Sequence, residues 1–172
     1  FLKTITVQEL NTILNQEREG FLKASPPDAS YALPPVSQAR NDVDLVAADV
    51  GALTVEGDED QLVTALRNLL LNAITYSPGD TRVTLSASVS HDHVDLMVSD
   101  QGIGIDESEQ ARIFERFYRV DPARSRATGG TGLGLSIVKH IAASHGGECL
   151  VWSKPGEGAT FTLRLRYGNV AS

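Results

Sequence analysis

The sequence predicts an α+β fold, a two-layer sandwich in which helices cover one face of a sheet. Alternation at Val83, Leu85, Ala87 and Val89, and again at Val94, Leu96 and Val98, marks two neighbouring strands joined at Ser90–His93. A helical stripe of Leu62, Leu66, Leu69, Leu70 and Ala73 precedes them. Strand and helix signals then follow in mixed order, without the regular repeat of a βαβ protein. With 172 residues and 41% hydrophobic side chains, the chain can build one real core.

In order along the chain, Thr6-Val7-Gln8-Glu9 has the form of a capping box and opens a first helix to about residue 20. Residues 24–42 carry Pro26-Pro27 and Pro34-Pro35 with little periodicity, so they read as a long surface loop. Short strands are expected at 43–47 and 53–55, around Gly51. Asp58 caps the second helix, with Gln61 three residues on, and Ser77-Pro78-Gly79 ends it. Asp106 to Glu109 reads as another capping box, with a helix to about Phe117. Leu133, Ile137, Val138 and Ile141 stand at helical spacing. A last hairpin joins Cys149–Ser153 to Thr160–Arg166 over Lys154-Pro155-Gly156-Glu157-Gly158. Residues 1–42 are thus an N-terminal helix and loop, 43–167 the main domain and 168–172 a tail.

Composition excludes some functions. A net charge of −7 argues against general affinity for nucleic acid or an acidic membrane. The single Cys149 rules out an intramolecular disulfide and fits a reducing compartment. No apolar run reaches membrane-spanning length, and no signal peptide is visible. Because the chain starts at Phe1, it is expected to be a piece of a longer protein whose membrane segments would lie outside it.

The chemistry concentrates in four stretches. Gly129-Gly130-Thr131-Gly132-Leu133-Gly134-Leu135-Ser136 opens the last long helix, where free N–H groups and the positive end of a dipole suit a phosphate. An ordinary flexible loop remains the alternative. Asn68 and Asn72, four apart, share a helix face beside the leucine stripe. They could be a satisfied surface pair, or could supply oxygen to Mg²⁺, which takes few protein ligands. Asp100 follows a strand and precedes Gly102 and Gly104. It can turn the chain or accept a hydrogen bond from a ligand amine. Arg112, Arg116, Arg119, Arg124 and Arg126 face only Glu115 and Asp121 within fifteen residues, a local reversal of charge that suits a polyphosphate. Arg112 itself fits a solvated helix face. His91 and His93 lack further ligands at metal spacing, and His140 and His145 read as a helix-surface and a helix-end residue.

Together, Asn68-Leu-Leu-Leu-Asn72-Ala-Ile-Thr-Tyr76-Ser77, Asp100-Gln-Gly102-Ile-Gly104, Phe114-Glu-Arg116-Phe117-Tyr118-Arg119 and Gly130-Thr-Gly132-Leu-Gly134-Leu resemble the N, G1, F and G2 boxes of sensor histidine kinases. They occur in the family's order over about residues 43–167, and the hairpin around Trp152 resembles that of actinobacterial members. The resemblance implies the Bergerat fold, a mostly antiparallel mixed sheet under helices with ATP beneath a mobile lid, at 119–131 here. It implies Mg²⁺ at Asn72, and Asn68 at the phosphate or polarising the attacking site. Asp100 would meet the adenine amine, Gly102 and Gly104 would shape the base pocket, and Tyr76 would pack near the base. Arg119 and Arg124 would approach the terminal phosphates, which the amides of Gly132, Leu133, Gly134 and Leu135 would cradle. Ile105, Phe117 and Thr131 complete the ATP contacts that the resemblance implies.

The family's phospho-accepting histidine, in a His-Glu-x-x-x-Pro context, is absent from this sequence. The resemblance therefore implies a catalytic domain that binds Mg-ATP and phosphorylates a histidine on a dimerisation segment of the same full-length protein, for relay to an aspartate of a response regulator. It also implies a cytoplasmic domain of a membrane-anchored sensor, monomeric alone and homodimeric in the whole protein. Two features depart from the family: Thr75 replaces a frequent Lys, and the 24–42 loop is long and proline-rich. The rival readings are a gyrase- or MutL-like ATPase clamp, an anti-sigma serine kinase and a non-catalytic nucleotide-binding module. Clamps usually carry a general-base Glu on the N-box helix, whereas Arg67 precedes Asn68 here.

Overall fold

The structure is a computed structural model and describes residues 3–6, 9, 12, 43–45, 54–78, 81–90, 92–120 and 131–166. In chain order its elements are β1 (Lys3–Thr6), β2 (Val43–Leu45), β3 (Thr54–Gly57), α1 (Glu59–Tyr76), β4 (Val83–Val89) and β5 (His93–Ser99). There follow a one-turn helix α2 (Glu107–Gln110), a 3₁₀ turn (Arg112–Phe114), α3 (Gly134–Ser144), β6 (Glu148–Lys154) and β7 (Gly158–Arg166).

The main sheet runs β2-β4-β5-β7-β6, and β1 pairs with β3 in a separate ribbon. β2 lies parallel to β4, and every other pairing in the main sheet is antiparallel. Alternation works as the sequence implies. Val83, Leu85 and Ala87 of β4, Val94, Leu96 and Val98 of β5, and Phe161, Leu163 and Leu165 of β7 point to one face and are buried. On that face lie Leu62, Ala65, Leu66, Leu69 and Ala73 of α1 with Val138, Ile141 and Ala142 of α3. Each fully buried leucine contributes roughly 1.5–3 kcal/mol, so this shared stripe dominates the packing. Val89, expected inside, is 44% exposed.

Local signals explain the helix ends. Asp58 Oδ1 accepts the Gln61 N–H at 3.1 Å, and Thr6 and Glu9 exchange the reciprocal bonds of a capping box. The rest of the expected first helix and the 24–42 loop lie outside the described residues. His145 does more than end α3. Its Nε2 accepts the Asp58 N–H at 3.0 Å while its Nδ1 bonds the Ile141 carbonyl at 2.8 Å, tying the C-terminus of α3 to the start of α1.

The expected helix from Asp106 to Phe117 is not formed. Asp106 Oδ1 binds the N–H and hydroxyl of Ser108, an Asx turn, and the Glu109 carboxylate accepts the Tyr118 hydroxyl instead of reaching back to Asp106. One helical turn and one 3₁₀ turn result. Glu115 is then extended and Phe117 enters the left-handed region at φ 65°, so no helix can continue. At the outer edge of the sheet, Gln110 Nε2 donates to the Ser153 carbonyl at 2.9 Å, which blunts the free end of β6.

Candidate functional site

Between α1, α3, the 102–105 loop and the sheet lies a cleft of about 370 Å³, a volume suited to a small molecule. α1 presents Asn68, Asn72 and Tyr76 to it, because 3.6-residue periodicity puts these positions on one side of the buried leucine stripe. Asn68 Nδ2 donates to the Thr64 carbonyl at 2.9 Å, leaving its oxygen 3.0 Å from where a Cβ on Gly134 would stand. The glycine at 134 lets α3 begin close against Asn68, where a side chain would have to push the Asn68 amide aside by a few tenths of an ångström.

At the far end, β5 delivers Asp100. One carboxylate oxygen accepts the Gly102 N–H at 2.8 Å and the Ala159 N–H at 3.2 Å. Burial raises the Asp100 pKa, and these two backbone bonds oppose the shift. The other oxygen makes no hydrogen bond to a described residue, and Asp100 lines the cleft. Next to it, Gly104 at φ 72° passes so close to the β6–β7 turn that a Cβ would stand 1.9 Å from the Lys154 carbonyl oxygen.

Arg119, Thr131, Gly132, Gly134 and Leu135 line the opposite end. Arg119 is half-buried and forms no salt bridge with a described residue. No side chain of a described residue caps α3, and its first turn, with Gly134 and Leu135, lines the cleft at the positive end of the helix dipole. The Asn72 carboxamide likewise makes no hydrogen bond among the described residues. Among the described residues, a cation without an ion pair, a helix start without a side-chain cap and an amide without a hydrogen bond stand at one end, with a carboxylate at the other. This fits an anionic ligand carrying a hydrogen-bond donor at its far end. The oxygen of Asn72 is a hard donor that suits Mg²⁺ completed by phosphate and water.

Ile105 also lines the cleft, so the expected site residues largely converge. Gly102 and Leu133 do not line it. Phe117 turns outward and is 71% exposed. Arg124, and most of the expected lid, lie outside the described residues. Sequence reasoning missed Ile113, Phe161 and Ala159, whose apolar character marks a core position but not a cleft wall. It also missed the role of Tyr118 as a wall residue, with the Arg112 guanidinium 4.3 Å from its ring centre. Only the reversal at Phe117 aims that ring inward, and nothing in the residue types announces it.

Residues 57–169 match the family described as histidine kinase-, DNA gyrase B-, and HSP90-like ATPase. The chain belongs to this family. The sensor-like histidine kinase SenX3 of Mycolicibacterium smegmatis is 58% identical over 111 residues, which cover 64% of this chain and 29% of SenX3. The chain thus spans less than a third of that relative. Among solved structures, the mycobacterial sensor histidine kinase MprB superposes with a TM-score of 0.71 at 25% identity, covering 96% of this chain and 97% of that one. The ATP-binding domain of PrrB from Mycobacterium tuberculosis gives 0.68 at 26% identity, covering 98% of each. As a histidine kinase-, gyrase B- and HSP90-like ATPase domain, the chain is an α+β ATP-binding unit. Among its described residues no helix is long and apolar enough to cross a membrane.

Proposed function

We propose that this chain is the catalytic domain of a sensor histidine kinase: it binds Mg-ATP and passes the γ-phosphoryl group to a histidine on a separate dimerisation segment, for relay to a response-regulator aspartate. The observation that carries this reading is one cleft lined by Asn68, Asn72, Asp100, Arg119 and the start of α3. The 58% identity to SenX3 supports the same reading over a clamp ATPase or an anti-sigma kinase.

In this reading the free oxygen of Asp100 accepts the exocyclic amine of adenine, while Ile103, Gly104 and Ile105 exclude water from the base. Tyr76 and Tyr118 wall the nucleotide. The amide oxygen of Asn72 holds Mg²⁺, which when bound neutralises phosphate charge. Asn68 stands where the α1 face meets the start of α3 and orients the terminal phosphate. Arg119 and the N–H groups of α3 stabilise negative charge as the phosphoryl group leaves. Positioning and charge stabilisation supply most of the catalysis of phosphoryl transfer, so no nucleophile from this chain is needed. The full-length protein is a homodimer anchored in a membrane, with this domain in the cytoplasm.

The test mixes the chain with a purified phosphoacceptor dimerisation segment and γ-labelled ATP. Label on that segment's histidine, stable to base and lost in acid, is the expected result. ATP binding with no transfer defeats the kinase reading and leaves a nucleotide-binding module.

A further inference from the structure

The base end of the cleft is built from a loop with no helix or strand of its own, residues 102–105. Its backbone is held largely from outside. The Ile103 carbonyl accepts the Gly156 N–H at 2.7 Å, and the Ile105 N–H donates to Ser153 Oγ at 2.9 Å. The Ile105 carbonyl accepts from Gln110 Nε2 at 3.2 Å, and that same amide group donates to the Ser153 carbonyl at 2.9 Å. Ser153 is buried, the one polar side chain so placed among the described residues. Its hydroxyl also donates to the Gly158 carbonyl at 2.6 Å. The next residue, Ala159, supplies an N–H to Asp100.

One hydroxyl and one amide therefore connect both halves of the base pocket, the Ile103–Ile105 wall and the backbone that orients the Asp100 carboxylate. Neither Ser153 nor Gln110 lines the cleft. We infer that Ser153 and Gln110 are positioning residues for base recognition: they set how strongly and how selectively the cleft takes adenine, without touching it. The inference rests on the ATP site proposed above. Its physical ground is that a partly buried network with every member bonded holds one geometry, whereas losing one member leaves a backbone group unpaired. The phosphate end shares none of these bonds, so the effect is confined to the base.

The test uses the whole chain with Ser153→Cys, which keeps the volume but bonds weakly, Ser153→Thr, which keeps the hydroxyl, and Gln110→Ala. Calorimetry gives Kd for Mg-ATP, Mg-ADP and Mg-GTP well below each variant's Tm, and hydrogen exchange follows the 102–106 segment. Ser153→Cys and Gln110→Ala are expected to weaken ATP and ADP by the same factor, about three- to tenfold. The ATP-over-GTP preference shrinks with it, exchange at Ile105 rises, and Ser153→Thr recovers the preference. A lowered Tm with an unchanged ATP-over-GTP ratio overturns the inference, because a merely structural role moves only the first. Should the Ser153 variants fail to fold, an unchanged ratio in Gln110→Ala overturns it alone. A parent chain that binds no ATP defeats the ATP reading instead, so the two failures are distinct.

Discussion

Phe117 and Gly132 meet through a single backbone hydrogen bond, the Phe117 N–H donating to the Gly132 carbonyl at 2.9 Å, and both residues stand in the left-handed region, at φ 65° and 72°. A Cβ on Gly132 would lie 2.9 Å from the Phe117 Cα. This contact joins the arginine-rich segment to the glycine loop at the mouth of the cleft. Gly132→Ala is therefore expected to destabilise by about 1–2 kcal/mol, from positive φ and steric conflict together. It also weakens nucleotide binding beyond that loss. Thermal unfolding beside calorimetry checks this, and a stable variant with parental affinity contradicts it.

Asn72→Ala separates binding from folding. The carboxamide has no hydrogen bond among the described residues, and alanine is the better helix former, so Tm is expected to hold or rise slightly. Mg-ATP affinity falls at least tenfold, while metal-free nucleotide binding changes little. Titrations with Mg²⁺ and with chelator distinguish the two. Equal affinity in parent and variant with Mg²⁺ present removes Asn72 from the metal.

Asp100 gives the pH prediction. Burial raises its pKa above 3.8, so the folded chain holds this proton more tightly than the unfolded chain does. Ionising it in place costs stability, and that contribution falls as pH rises from the ordinary aspartate range through the raised value. Asp100→Asn lacks the titration. Its stability relative to the parent is expected to increase with pH across that window and to level off above it. In the proposed site the variant at the same time turns an amide donor toward the adenine amine, and ATP is expected to lose its advantage over GTP. Unfolding curves from pH 3 to pH 8 and paired nucleotide titrations read both effects.

Cys149 is expected to be chemically quiet. Burial pushes its thiol up to about 12, with nearby Lys139 only partly opposing the shift. At pH 8 almost no thiolate exists, so disulfide-exchange reagents label the native chain far more slowly than the unfolded chain. Labelling rates in buffer and in denaturant provide the check; similar rates contradict the burial.

Strong periodicity made α1, α3, β4 and β5 legible, because one apolar face leaves one way to pack. The paired asparagines and the acid after β5 were legible as polar residues at the edges of those elements. The segment from Asp106 to Tyr118 was not. There the side chains of Asp106 and Glu109 find local partners that compete with a helix, and Phe117 takes a backbone conformation that its residue type disfavours. That one residue decides that Phe117 faces solvent and Tyr118 faces the cleft. The bonds of Ser153 were equally hidden, since a serine within a strand carries no sign of what it will meet across the sheet.

The closeness of Gly104 to the Lys154 carbonyl has a consequence for compounds that would block this cleft. The end of the cleft proposed for adenine is braced against a β-turn at a distance where no side chain fits, so its shape is set by the backbone. A flat, uncharged inhibitor seated there competes with ATP without imitating a triphosphate, and its potency is indifferent to magnesium.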